Sequence, residues 1–160
     1  MTASTLDFGH IEAVPVFFDD FDPMGVVHNA RYALLLERAL TNFWAARGHA
    51  FEAGRPLTPD AFNVVREYSI TYHVPIRDTG DVAVHFWLEH LGASSGVYAF
   101  RVMSPDAGTV YADGRRVVVK LDPATLRPSP WSDDAITIAT TLLHPLLPRP
   151  SLPRPSLPRS

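Results

Sequence analysis

No cysteine occurs among the 160 residues, which removes disulfide scaffolds, thiolate nucleophiles and cysteine-ligated zinc or iron–sulfur sites from consideration together. Lysine is nearly absent: only Lys120 stands beside thirteen arginines, a skew that reads as coding bias and not as thirteen anion contacts. The chain also lacks any block of five or six like charges, and fourteen basic against seventeen acidic residues leave a formal charge of -3. Nucleic acid and membrane surfaces are therefore not expected partners. Nowhere do eighteen apolar residues run without interruption, and Met1 to His10 lacks the basic region and apolar stretch of a secretory signal. A cytoplasmic protein is expected. What remains available is oxygen and nitrogen chemistry on a chain whose 46% hydrophobic content suffices for one core.

The segment 11–19, IEAVPVFFD, has the β-branched and aromatic content of a strand, and Pro15 places it late or at a sheet edge. From Ala30 to Arg47 follow eighteen residues without glycine or proline, which predict one long helix. Its apolar residues Tyr32, Leu36, Leu40, Phe43 and Trp44 recur at helical spacing, while Glu37, Arg38, Thr41 and Asn42 form a narrow polar arc. Asn29 suits the N-cap and Gly48 the stop. After a loop around Gly54 to Asp60, the runs 62–73, 82–91, 96–104 and 109–121 read as strands separated by turn residues, and their short connections predict an antiparallel meander. A sheet wrapped around one buried helix hides both apolar surfaces, giving an α+β core over residues 1–131. Residues 132–146 are expected to hold a short helix or extension starting at Ser132. The proline-rich five-residue repeat of 147–160 is expected to be disordered or polyproline-like and of little consequence.

Chemistry concentrates between Phe17 and Tyr32, FFDDFDPMGVVHNARY, where Asp19, Asp20, Asp22, His28 and Asn29 fall within eleven residues at the start of the helix. The first N–H groups of a helix lack partners and its dipole end is positive, so this end stabilises an oxyanion. A carboxylate opposite those groups can attack a carbonyl whose oxygen they polarise, or activate a water to do so. Asp22 is best placed. The same residues also spell an ordinary turn, because Asp22-Pro23 before Gly25 is turn chemistry and Asp19 and Asp20 suit solvated turn positions. His28 can assist proton transfer, orient an acyl group or cap the loop, since its neutral ring offers one donor and one acceptor.

The run D-F-D-P-M-G-V-V-H-N-A-R-Y, followed by L-L-L-E-R-A, resembles the signature of the 4-hydroxybenzoyl-CoA thioesterase-like hotdog-fold family, in which D-x-D-x-x-G-[IV]-[VL] leads into the central helix. A second likeness covers Tyr72 to Val82, YHVPIRDTGDV, similar to the family's strand, proline and G-D turn. The resemblance implies a hotdog fold, with an antiparallel sheet of about five strands around one long helix. It implies hydrolysis of an acyl-CoA or acyl-carrier-protein thioester, and a homodimer or homotetramer with sites between subunits. The family's catalytic carboxylate falls on Asp22 and its carbonyl-polarising N–H near Asn29, with His28 beside it. Gly25, Val27, Tyr32, Glu37, Tyr72 and Arg77 are the positions expected to meet substrate. Phe21, Val14 and Pro15 depart from the commonest family residues and bear on acyl preference.

In another branch of hotdog thioesterases the catalytic acid lies on the central helix, which makes Glu37 a reserve acid beside its alternative as half of a structural ion pair. Tyr68 and His73, with Tyr32 and Tyr72, are packing residues or acyl-tunnel lining. Arg66, Arg77, Arg115 and Arg116 are candidates for coenzyme A phosphates or plain surface charges. Coenzyme A or phosphopantetheine enters only as part of the substrate, so no cofactor is expected. No metal is expected either, because His73, His85 and His90 lack helical i, i+4 spacing. Two rivals remain: a hydratase or dehydratase of the same fold pairing Asp22 with His28, and a non-catalytic acyl-thioester-binding domain.

Overall fold

The structure, a computed structural model, describes residues 7–146. The expected disordered repeat at 147–160 lies outside the described residues. The chain runs β1 (His10–Val16), α1 (Tyr32–Ala45), the short strands β2 (Phe51–Glu52) and β3 (Arg55–Pro56), β4 (Asn63–Tyr72), β5 (Gly80–Leu91), β6 (Ser95–Met103), β7 (Val110–Lys120) and α2 (Asp133–Thr140). Five strands form one antiparallel sheet in the order β1-β5-β6-β7-β4, and the tiny β2-β3 hairpin stands apart. Pro15, which cannot donate to a ladder, lies as expected on an edge strand, opposite Asp81. No helix among the described residues is long and apolar enough to cross a membrane.

The helix packs on the sheet through Tyr32, Leu35, Leu36, Ala39, Leu40 and Phe43, all buried and spaced three or four apart so that they share one face. They meet Val84, Phe86 and Leu88 of β5 and Phe100 of β6, and the rings of Phe43 and Phe86 stand edge to face 5.6 Å apart. Burying each such side chain stabilises the fold by roughly 1.5–3 kcal/mol. On the opposite face of β5, Phe8 covers His85 and Trp87 at ring separations of 5.1 and 5.2 Å. Burial lowers the His85 pKa, and its Nε2 bonds the Phe8 carbonyl oxygen, so this histidine is a core residue.

Four expectations need correction. The first strand stops at Val16, because the Asp20 carboxylate accepts the Phe17 N–H at 2.8 Å and coils residues 18–20 into a 3-10 turn. The long helix starts at Tyr32, since Asn29–Arg31 form a separate 3-10 turn, and the capping acceptor is the His28 ring, not Asn29: Nδ1 receives the Ala30 N–H at 3.1 Å. The loop after the helix contains β2 and β3, turned by Ala53 and Gly54 at φ 49° and 75°. Finally, only β5, β6 and β7 form the meander. β4 pairs with β7 at the far edge, so residues 73–79 cross from one side of the sheet to the other. A short connection usually joins neighbouring strands, but this one crosses, with Ile76 buried midway along it.

The helix expected from Ser132 forms as α2, with Ser132 Oγ accepting the Ala135 N–H. Ser132 also donates to buried Asp60 through Oγ at 2.6 Å and through its backbone N–H at 2.9 Å, and His49 Nε2 meets Asp134 Oδ2 at 2.8 Å. Burial alone would raise the Asp60 pKa, but the Ser132 hydrogen bonds, with Lys120 and His49 nearby, overcome it and hold the carboxyl below the ordinary aspartate value of 3.8. A depressed folded-state pKa adds stability above the unfolded-state value, and that stability is lost as pH falls through the folded one. Asp60→Asn is therefore expected to lower the thermal midpoint at neutral pH and to converge with wild type in acid below the ordinary aspartate range. Parallel melting profiles across that window would refute this role.

Candidate active site

The loop between β1 and α1 is folded on itself. Asp22 N–H donates to the Val26 carbonyl at 2.9 Å, Gly25 N–H donates to the Asp22 carbonyl at 3.0 Å, and Phe21 bridges to Val27. Gly25 takes φ 75°, a left-handed conformation that a side chain would oppose. Within this turn Asp22 Oδ1 accepts the N–H groups of Met24 at 2.8 Å and of Val26 at 3.5 Å. The ordinary aspartate turn is thus present. It also fixes the carboxylate's direction, and Oδ2 makes no hydrogen bond among the described residues.

Two anchors hold this loop against the rest of the molecule. Val27 N–H donates to the Ile76 carbonyl at 3.0 Å on the crossing link, and His28 N–H donates to the Asp20 carbonyl at 2.8 Å. Asp20 itself is 2% exposed, with Arg31 Nε and Arg38 Nη1 each 3.9 Å from its carboxylate. The expected solvated turn acid is a buried structural one; Asp19 is exposed.

Asp22, Val27, His28, Asn29, Tyr32 and Tyr72 line one cavity of about 410 Å³ together with His73. The structure thus gathers six sequence-chosen positions on one surface. Tyr72 Oη donates to the Asn29 carbonyl at 3.0 Å, and its ring stands edge to face with Tyr32 at 5.0 Å. Burial raises the pKa of both phenols, so both hold their protons at neutral pH. Val27, His28, Ala30 and Arg31 N–H groups all have acceptors, whereas the Asn29 N–H finds none among the described residues. That donor sits at the positive end of the turn leading into α1, and Asn29 lines the same cavity as Asp22.

Other candidates lie elsewhere. Glu37 pairs with Arg116 and borders a second cavity, away from Asp22. Arg115 pairs with Glu89 at 2.7 Å, while exposed Arg66 and Arg77 form no ion pair among the described residues and do not border the Asp22 cavity. Tyr68 stacks on Phe100 in the core. Sequence reasoning missed one arrangement. His73, in the cavity wall, has Nε2 3.1 Å from Asp113 Oδ2 across the β4–β7 edge, a pairing of residues forty apart that only strand register brings together. Among the described residues no three His, Asp or Glu side chains converge on a metal position.

Residues 24–111, more than half of the chain, match the thioesterase superfamily. The acyl-CoA thioester hydrolase YbgC of Shigella flexneri is 27% identical over 115 residues, covering 72% of this chain and 84% of that protein. Among solved structures, the PA5185 protein of Pseudomonas aeruginosa shares the fold at a TM-score of 0.72 and 21% identity, over 85% of this chain and 92% of that one. A thioesterase from Thermus thermophilus, solved with coenzyme A and zinc, matches at a TM-score of 0.66 and 26% identity, over 82% and 92% of the two chains. With its five-stranded antiparallel sheet and one long helix, the chain belongs to the thioesterase superfamily and is a thioester hydrolase of hotdog fold.

Proposed function

We propose that the protein hydrolyses an acyl-CoA thioester in the Asp22 cavity, with Asn29 N–H polarising the thioester carbonyl. The observation that carries this reading is the presence, among the residues lining one cavity, of a carboxylate with a free Oδ2 and a backbone N–H without an acceptor. Either Asp22 Oδ2 adds to the carbonyl carbon to form a mixed anhydride that water then opens, or it takes a proton from water as the hydroxide adds. In both routes the C–S bond breaks and the products are a free acid and a thiol. His28, with Nδ1 occupied in capping, orients the Asn29 donor. Support for coenzyme A as the carrier comes from likeness to YbgC and to the coenzyme A-bound Thermus protein. An acyl-carrier-protein thioester presents the same bond.

The cavity is open to the outside at an exposed sheet edge. β4 ends one side of the sheet, and Tyr72 at its end and Val74 just beyond, both lining the cavity, are 46% and 43% exposed, which supports a homodimer, or a pair of dimers, in which a second copy completes each site. A cytoplasmic location accompanies this reading. Free-thiol release from aromatic, short-chain and long-chain acyl-CoA substrates tests it: turnover of at least one is expected, and silence with these and with carrier-protein thioesters would overturn it. Tyr72→Phe removes the hydrogen bond to the Asn29 carbonyl and is expected to lower kcat by roughly 3- to 10-fold, the worth of one hydrogen bond. An unchanged kcat would remove Tyr72 from the site's positioning.

A further inference from the structure

A second cavity, of about 190 Å³, lies between the C-terminal half of α1 and strands β5 to β7, beneath α2. It shares no lining residue with the Asp22 cavity. Leu40, Leu88, Val118 and Trp131 give it apolar walls, and Ala135 and Ala139 of α2 border it. Two buried polar side chains also border it. Arg116, 8% exposed, spends one Nη on Glu37, and its Nε–H has no acceptor among the described residues and almost no accessible surface, so no occupant of the cavity reaches it. Tyr98, 6% exposed, accepts Trp44 Nε1–H at 3.0 Å, which leaves its own proton to be donated. Burial pushes the Tyr98 phenol up to about 12, so it keeps that proton.

An apolar cavity of about 150 Å³ holds a benzene ring, so this one matches a substituted ring or a chain of roughly six to eight carbons. The charges around it are already compensated, Arg116 by Glu37 and Lys120 by Asp60. A second anion would disturb that balance, whereas a neutral oxygen would satisfy the waiting Tyr98 donor.

We propose that this cavity is a binding site for a compact aryl or six-to-eight-carbon group bearing a neutral hydroxyl or carbonyl oxygen, held by Tyr98 O–H. The site needs no coenzyme A moiety and stands independently of hydrolysis at Asp22. Trp44 and Trp131 border it, so intrinsic fluorescence reports on its occupancy. Titration of the full chain with 2-phenylethanol is expected to saturate, with an affinity about tenfold above that of ethylbenzene, which has the ring but no oxygen. Tyr98→Phe should erase that preference. Should this variant fail to fold, Ala135→Leu, which fills the cavity from α2, should abolish binding of both probes, and Asp22→Asn should bind both as wild type does even where turnover is lost. Absence of saturable binding, equal affinity for the two probes, or binding undiminished in Ala135→Leu would each overturn the proposal.

Discussion

Asp22→Asn is expected to lower thioester turnover by about three orders of magnitude, near 4 kcal/mol of transition-state stabilisation, while leaving the fold intact. Asparagine has nearly the same shape as aspartate and keeps an oxygen at the Oδ1 position, so the hydrogen bonds from Met24 and Val26 N–H survive. What disappears is the negative Oδ2, and with it the capacity either to add to the carbonyl carbon or to accept a proton from water. The variant therefore separates chemistry from architecture, a separation that Asp22→Ala, which also strips the turn of its internal acceptor, does not give. Thiol release measured beside a thermal melt decides the matter. Equal turnover at an equal melting temperature would remove Asp22 from the reaction and leave Asn29 without its counterpart.

Gly114→Ala is expected to destabilise the protein by about 3 kcal/mol, the upper part of the usual cost of overpacking, and to lower the thermal midpoint by roughly 6–12 °C for a chain of this size. Gly114 lies on β7 opposite Ile70 of β4 and Phe100 of β6. A Cβ there would stand 2.1 Å from the Ser69 carbonyl oxygen, 2.9 Å from the Phe100 ring and 3.0 Å from Ile70 Cα. Two of those neighbours are backbone atoms, so no side-chain rotation relieves the clash and β4 itself must move. Because Tyr72, at the end of that strand, holds the Asn29 carbonyl, activity should fall along with stability. A melting temperature within about 2 °C of wild type would show that β4 yields without cost.

Local pattern makes much of this molecule legible. The strands of the meander, the helix bearing Leu35, Leu36 and Phe43, the edge position of Pro15 and the capping serine of α2 all express spacings a few residues long. The cluster from Asp22 to Tyr32 is visible for the same reason, and its likeness to a family motif points to the thioesterase superfamily, which the match over residues 24–111 shows. Legibility ends where distant segments meet. The burial of Asp20 is such a case, since besides the nearby Phe17 N–H it is held by His28 and two arginines of the helix region. Neither the crossing of β4 to the far edge nor the His73–Asp113 pair follows from spacing, because both depend on strand order. Glu37 is open to two readings on the helix arc; the structure supplies Arg116, seventy-nine residues away, and with it the ion pair.

The crossing link also bears on the order in which this protein acquires its parts. β5, β6 and β7 can pair through tight local turns, but the bond from Val27 to Ile76 closes a loop of some fifty residues, and the β4–β7 ladder closes another of similar length. Closing long loops costs chain entropy before contacts repay it, so local hairpins assemble first. The turn carrying Asp22 hangs from the later of these contacts and borders solvent on its other side. It is expected to form after those hairpins and to reopen before them. In hydrogen exchange, the Val27 amide should accordingly lose protection well before Val84 and Phe100 in the central strands, and catalytic competence should lag behind the burial of tryptophan during refolding.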